Sequence, residues 1–337
     1  GKMQSELADM DECMPHYYKI TDGHGQGAEK IMRAEAAFVQ GRFTDAHIEL
    51  ESAYARIEGN GQENMALCCD FLAWRLSLCA DVEMRYSFEQ RREQLLRQHN
   101  AAWLNILDAA SAYYHALLGK TERIPEVFSA HRLSSISILA PGKPMIEMIE
   151  NQVLLAQGAY AKVVGRSEGQ LAVCEAMHYA LVALHVKLQT AAAYEALGKR
   201  AEACRLLDQA LKDAAHDGIM IPFIENYAYI KPTLQYCSGQ PELIGSIVKL
   251  GEALSARQKS ALDAGSRPAE FSVPTDREYE VAALTLSRLS NREIAEKLFL
   301  SEGSVKQYMK QIYSKLGIQG DTRTKRKQLS ELMQQNF

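Results

Sequence analysis

From Ala28 to about Ala261 the apolar positions recur at helical spacing, and the pattern repeats. In Gln40-Gly41-Arg42-Phe43-Thr44-Asp45-Ala46 an alanine follows the glycine by five, and Ala53 stands seven further on. Gly198-Lys199-Arg200-Ala201-Glu202-Ala203 repeats this, with Ala210 seven on. Leu118-Gly119-Lys120 and Gln157-Gly158-Ala159-Tyr160 are weaker copies, Gly239 marks a last one, and position 80, although alanine, falls in register. The steps between these turn positions are 39, 39, 39, 40 and 41 residues. Such a period predicts stacked helical hairpins, with glycine at each inter-helix turn and small alanines where neighbouring helices touch.

The pattern changes near the end of the chain. Ser290 with Glu293 has the form of a capping box opening a helix whose apolar face is Ile294, Ala295 and Leu298. Phe299-Leu300 make a turn, and Ser301 caps a second helix with Glu302 in its first turn. In that helix Val305, Met309, Ile312 and Leu316 form the expected core face. Gly303, Lys306, Gln307, Lys310 and Ser314 fall opposite, a face with two cations, an amide and no carboxylate. That chemistry suits a DNA major groove, where Lys serves guanine or phosphate and Gln serves adenine; a solvated face in an ordinary bundle has the same periodicity.

The flanks add detail. Thr275-Asp276-Arg277-Glu278 is a second capping box, and Leu316-Gly317-Ile318 ends the recognition helix with a glycine C-cap. From Thr275-x-x-Glu278-x-Glu280-Val281, through Leu289-Ser-Asn-x-Glu-Ile-Ala, to Ser301-Glu-x-Ser304-Val-Lys306 and Ile312-Tyr-x-Lys-Leu-Gly317, the chain resembles the DNA-binding domain of the LuxR/GerE family of bacterial transcription regulators. The resemblance covers about a fifth of the chain. Arg288 stands where the family commonly has Gly, and Tyr308 where it has His. The resemblance implies a four-helix domain that binds double-stranded DNA as a homodimer. Lys306, Gln307 and Lys310 would face base edges or phosphates, while Ser301, Ser304, Tyr308 and Lys315 help anchor the backbone. The last helix, with Arg323, Lys325, Arg326 and Lys327, would add phosphate contacts or form the dimer seam.

The preceding repeats resemble the tetratricopeptide repeat, lengthened beyond that family's usual unit. The expected fold is therefore all-α: a tetratricopeptide-like superhelix of helical hairpins followed by a LuxR-type helix-turn-helix domain. That arrangement is similar to the sensor and DNA-binding parts of MalT-like regulators, without their ATPase module. Leu118-Gly119-Lys120-Thr121 has a P-loop ending, but Tyr114 occupies the position that must be Gly. If tetratricopeptide geometry holds, Glu35, Tyr113, Gln152, His185, Gln189, Asn226 and Tyr236 face inward and are candidates to hold a small inducer or a protein partner.

Charge and composition refine this picture. The 337 residues carry a net charge of -4. Residues 272–337 hold 11 Lys+Arg against 8 Asp+Glu, or +3, and the remainder 27 against 34, or -7, so a basic tail follows an acidic body. Seven cysteines, with no C-x-x-C pair, predict reduced thiols and no zinc site. His178 and His185 are seven apart with no carboxylate to complete a metal set. No apolar run is long enough to span a membrane, which predicts a cytoplasmic, nucleoid-associated protein. Catalytic motifs of hydrolases and zinc proteases are absent, so neither an enzyme nor a cofactor is expected.

The expected organisation is an N-terminal segment over 1–27, a repeat domain over 28–262, a Pro- and Gly-containing linker over 263–274 and the DNA-binding domain over 275–337. The main reading is a ligand-gated transcription regulator. The alternative is a scaffold whose repeats recruit another regulator or RNA polymerase.

Overall fold

The structure is a computed structural model. It describes residues 2–337 except 23, 58–61, 81, 83, 100–102, 134–135, 137–139, 238, 264–275, 287–288, 299, 319 and 335–337. At 257–263, 276–277, 279, 286, 322–323 and 332–334 it describes the backbone alone. The regular elements among the described residues are all helices, with no strand among them. They fall into two compact units, Gly1–Gln258 and Lys259–Phe337. The expected linker lies outside the described residues apart from Asp263, which ends a helix.

In the first unit, α1 (Lys2–Ile20) leads into α2 (Ala28–Val39) and α3 (Phe43–Ile57), followed by α4 (Glu63–Cys79), α5 (Phe88–Arg97) and α6 (Leu104–Leu117). The short α7 (Glu126–Ser129) precedes the long helices α8 (Lys143–Ala156), α9 (Tyr160–Ala176), α10 (Ala180–Ala196) and α11 (Arg200–Ala215). The unit closes with α12 (Ile221–Glu225), α13 (Tyr227–Leu234) and α14 (Pro241–Asp263), the last running across the division between the two units.

The expected turn positions divide α2 from α3, α4 from α5, α6 from α7, α8 from α9, α10 from α11 and α13 from α14. Gly41, Gly119, Gly158 and Gly198 all have φ between 68° and 74°. At each, the residue after the glycine donates its N–H to the carbonyl five residues back, as Lys199 does to Tyr194 at 2.9 Å. This is a Schellman ending, and it requires the left-handed conformation that glycine adopts without steric cost. Two turns differ. Ala80 ends α4 in an extended conformation, and at the last turn the left-handed residue is Gln240 instead of Gly239. The alanines behave as their size dictates: Ala46, Ala53, Ala203 and Ala210 are all 0% exposed.

Among the described residues the inner positions of the array are closed in. The Met220 N–H donates to the Val39 carbonyl at 2.7 Å, and the Gln40 amide donates to the Asp217 carbonyl at 2.8 Å. These bonds bring the start of the array against its far end, so the inner faces of the helices meet and fill the middle. Tyr113, Gln152, His185, Gln189 and Asn226, expected to face inward, are buried there. A second buried network fastens α3, α4 and α5: Asp70 accepts from Tyr54 at 2.8 Å and from Arg91 Nη2 at 3.1 Å.

The second unit holds α15 (Asp276–Leu286), α16 (Asn291–Leu298), α17 (Glu302–Lys315) and α18 (Thr322–Gln334). Their shared core is Val281, Ala282, Ile294, Ala295, Val305, Met309, Ile312, Ile318 and Leu329, with Leu298 and Leu316 partly buried against it. Every position expected on the two apolar faces therefore turns inward.

Candidate functional site

The helix-turn-helix is fixed by local bonds. The Ser290 N–H donates to Glu293 at 2.7 Å and the Glu293 N–H returns to the Ser290 hydroxyl at 3.3 Å, completing the capping box of α16. The Leu300 N–H closes that helix on the Ala295 carbonyl at 2.8 Å. Ser301 caps α17 by accepting the Ser304 N–H at 3.0 Å. Gly317, at φ 65°, ends α17, and the Ile318 N–H reaches the Tyr313 carbonyl at 2.9 Å.

With Val305, Met309 and Ile312 in the core, the opposite side of α17 is open. Lys306, Gln307, Lys310, Gln311 and Ser314 are exposed along it. Lys306 pairs with Glu302 at 2.8 Å, but both side chains are at least half exposed, so the pair is weak and breaks readily. Gln311, one turn beyond Gln307, extends the amide face; its exposure follows from the same spacing that placed Gln307.

Other expected interface residues have structural partners. The Ser304 hydroxyl lies 2.8 Å from that of Ser301, within the cap. Tyr308 is half-buried against the core. Lys315 is paired with the buried Glu278 of α15 at 2.6 Å. Arg326 donates to the Leu289 carbonyl at 3.2 Å and to Asn291 Oδ1 at 2.9 Å, holding α18 against the start of α16. The Lys325 ammonium lies over the Tyr313 ring. The Arg323 side chain lies outside the described residues. Lys327 is exposed and reaches Glu331 at 3.5 Å.

The inward-facing candidates divide into three. Glu35, Tyr113 and His185 come together, joined by two residues that the spacing argument does not select, Arg75 and Glu225. Arg75 Nε donates to Glu225 at 2.8 Å, and Nη1 donates to Glu35 at 2.8 Å. The Tyr113 hydroxyl donates to Glu225 at 2.7 Å. His185 Nδ1 stands 3.5 Å from that hydroxyl and 3.9 Å from Glu225. Arg75 also lies over the rings of Phe38, Phe71 and Tyr113. A cavity of about 30 Å³ opens beside this cluster, lined by Glu35, Arg75, Tyr113 and His185 with apolar side chains from α4, α8 and α10.

Gln152, Gln189 and Asn226 form the second group. Gln189 Nε2 donates to Gln152 Oε1 and to the Met148 carbonyl, both at 3.0 Å. Gln152 Nε2, Gln189 Oε1 and Asn226 Oδ1 are buried without a hydrogen-bond partner. Tyr236 stands apart, 58% exposed, with the Arg200 guanidinium over its ring.

Electrostatics within the cluster follow from burial and charge. Burial alone would weaken the Arg75 cation, but Glu225 and then Glu35 outweigh it and raise its pKa well above the ordinary value. Burial, reinforced by Arg75, lowers the His185 imidazole to about 3, so it is neutral at pH 7. Burial, then the Glu225 carboxylate, keeps the Tyr113 hydroxyl protonated. The signal that Arg75 and Glu225 carried in the sequence is chemical: Arg75 is the one charged residue of Phe71–Cys79, the second half of α4, and Glu225 the one charged residue of α12.

Among the described residues no group of His, Cys, Asp and Glu is placed to hold a metal ion, and no helix is long and apolar enough to cross a membrane.

Residues 272–326 match the family described as bacterial regulatory proteins, luxR family. The domain built from α15 to α18 is a LuxR-type helix-turn-helix domain. The chain is also similar to the transcriptional regulatory protein LnrK of Bacillus subtilis (strain 168), at 32% identity over 121 residues. That alignment covers 35% of this chain and 54% of LnrK, so the chain spans about half the length of this curated relative. No solved structure shows a significant match.

Proposed function

We propose that the protein is a DNA-binding transcription regulator in which a helical array governs a LuxR-type DNA reader. The observation that carries this reading is the open face of α17 in a domain of that family, with Lys306, Gln307 and Lys310 exposed and no core role assigned to them. These three side chains read base edges or phosphates in the major groove, and Lys325 and Arg323 of α18 supply phosphate contacts or a homodimer seam. The array, residues 28–262, and the reader, residues 275–337, act as separate domains joined by 263–274 in a cytoplasmic protein.

The test is binding of the full chain to fragmented genomic DNA over a salt series. Binding that weakens linearly in log salt, and weakens further in the Lys306→Ala/Lys310→Ala double variant, is the expected result. Absence of binding above background at low salt would remove the DNA-reader function.

The array is the sensor. What supports this is the convergence of four charged or polar side chains, from α2, α4, α6 and α10, on one small cavity, with Glu225 of α12 bonded behind them to Arg75 and Tyr113. Its ligand is a small molecule, and occupancy of the cavity changes how the two ends of the array meet. Thermal unfolding of the full chain with candidate inducers measures this, because a ligand specific for the folded state raises the midpoint with concentration.

A further inference from the structure

We propose that the cavity between Glu35, Arg75, Tyr113 and His185 is a binding site for a small organic cation, a primary ammonium on a short apolar body. This rests on the sensor reading of the array given above and names the ligand's chemical class.

Charge decides the sign of the ligand. Two carboxylates, Glu35 and Glu225, face a single guanidinium, and both bond to it. With the His185 ring neutral, the cluster has one negative charge in excess. An anion would enter beside two carboxylates in a poorly solvated space, where like charges repel most strongly. A cation neutralises the excess.

Hydrogen-bonding capacity agrees with the charge. Glu225 is spent on Arg75 and Tyr113. Glu35 gives one oxygen, Oε1, to Arg75, and Oε2 takes no partner among the described residues. Its side chain is 31% exposed against 2% for that of Glu225, so Glu35 is the accessible carboxylate of the cluster. His185 turns Nδ1 toward the Tyr113 hydroxyl and Glu225, where a proton on that nitrogen is favoured. Nε2 is then a lone-pair acceptor, without a partner among the described residues. Glu35 and His185, which carry these two acceptors, both line the cavity, and two acceptors match an ammonium group, which has three donors and no acceptor.

The remaining wall fixes the other end of the ligand. Phe71, Met145, Met148, Leu181 and Val182 are apolar, and Met145 is 39% exposed at the edge. At about 30 Å³ the cavity holds one or two water molecules. A ligand of several carbons enters by moving Met145, whose unbranched side chain changes shape at little cost. The unpaired amide atoms of Gln152 and Gln189 lie one helical turn beyond Met148 and His185 along α8 and α10.

The experiment is calorimetric titration of the full chain, without DNA, at constant ionic strength. The probes are n-alkylammonium chlorides from methyl to hexyl, each matched by the sodium n-alkanoate of equal length. Saturable one-to-one binding of at least one ammonium, with no binding of its carboxylate counterpart, is expected. Glu35→Gln should weaken that binding about tenfold or more, since it removes the charge that faces the ligand. Leu181→Phe fills the cavity from its apolar wall, leaves the charged cluster in place and should block binding. Circular dichroism and melting of both variants establish that the array is folded.

Failure of every alkylammonium to bind saturably overturns the proposal. So does binding that persists undiminished in both variants, or binding of the alkanoates instead. DNA affinity of the full chain with and without the bound ammonium is read separately. Ligand binding that leaves DNA affinity unchanged would overturn the sensor reading and keep the site, whereas DNA binding with no ammonium site would overturn the site and keep the DNA-reader function.

Discussion

The Lys315 ammonium stands 2.6 Å from a carboxylate oxygen of Glu278, which is only 3% exposed, and this pair ties the last turn of α17 to the first turn of α15. The pair gives Lys315 a structural partner within the helix-turn-helix, although its position in the sequence suits a phosphate contact. Lys315→Ala should destabilise the C-terminal domain by about 2 kcal/mol, because a buried carboxylate loses a charged partner while the lysine itself is partly solvated. Denaturant unfolding measures the loss. The salt slope of DNA binding should stay the same; a slope reduced by about one unit would return Lys315 to the interface.

On the open face of the same helix the expectation is reversed. Lys306→Ala and Lys310→Ala should each leave stability within about 0.5 kcal/mol, since neither side chain packs in the core. Each should weaken DNA binding, by about 1–3 kcal/mol where the lysine reads a base. A lysine that contacts phosphate instead weakens binding to all sequences alike and lowers the salt slope by about one unit. Gel-shift titrations against specific and scrambled DNA separate the two cases. Equal affinity and slope in both variants would sink the groove face.

What the sequence revealed was set by the range of the interactions. Ser290 with Glu293, Ser301 with Ser304, and Gly317 act within one helical turn, so their caps were legible before any fold was known. The glycines at 41, 119, 158 and 198 end their helices through bonds spanning five residues, and the repeat register followed from them. At 80 and 239 the register held while the turn chemistry did not, because an extended Ala80 and a left-handed Gln240 do the same work. The ion pair of Lys315 with Glu278 spans 37 residues and that of Arg75 with Glu225 spans 150. No local spacing reports such pairs. The inward positions of Tyr113 and His185 were readable from the repeat geometry; the charges that surround them were not.

Arg75 and Glu225 supply a stability test of the array's closure. Both side chains are at least 94% buried, and they join α4 to α12. Arg75→Met should cost about 3–5 kcal/mol, since it strands a buried carboxylate. Pairing it with Glu225→Leu should recover much of that loss, because two apolar side chains of similar size remove both desolvation penalties together. A double variant no more stable than Arg75→Met would show that the carboxylate draws its stabilisation from Tyr113 and not from the guanidinium.

Two buried imidazoles set the response to acid. Burial and Arg75 hold His185 down to about 3, and burial with Arg123 and Lys120 holds His115 down to about 4. In the unfolded chain both rings titrate near the ordinary value of about 6.5. Below that pH the unfolded state binds more protons than the folded state, so stability is complete above about pH 6.5 and falls as the pH drops toward the folded values. Each ring contributes up to about 1.4 kcal/mol per pH unit across this window. Urea unfolding between pH 7 and pH 5 should therefore show a loss of about 2–4 kcal/mol. His115→Gln should remove roughly half of the dependence, since that position no longer takes up a proton on unfolding. A stability profile that stays flat from pH 7 to pH 5 would mean that both rings protonate as easily in the folded array as in the unfolded chain.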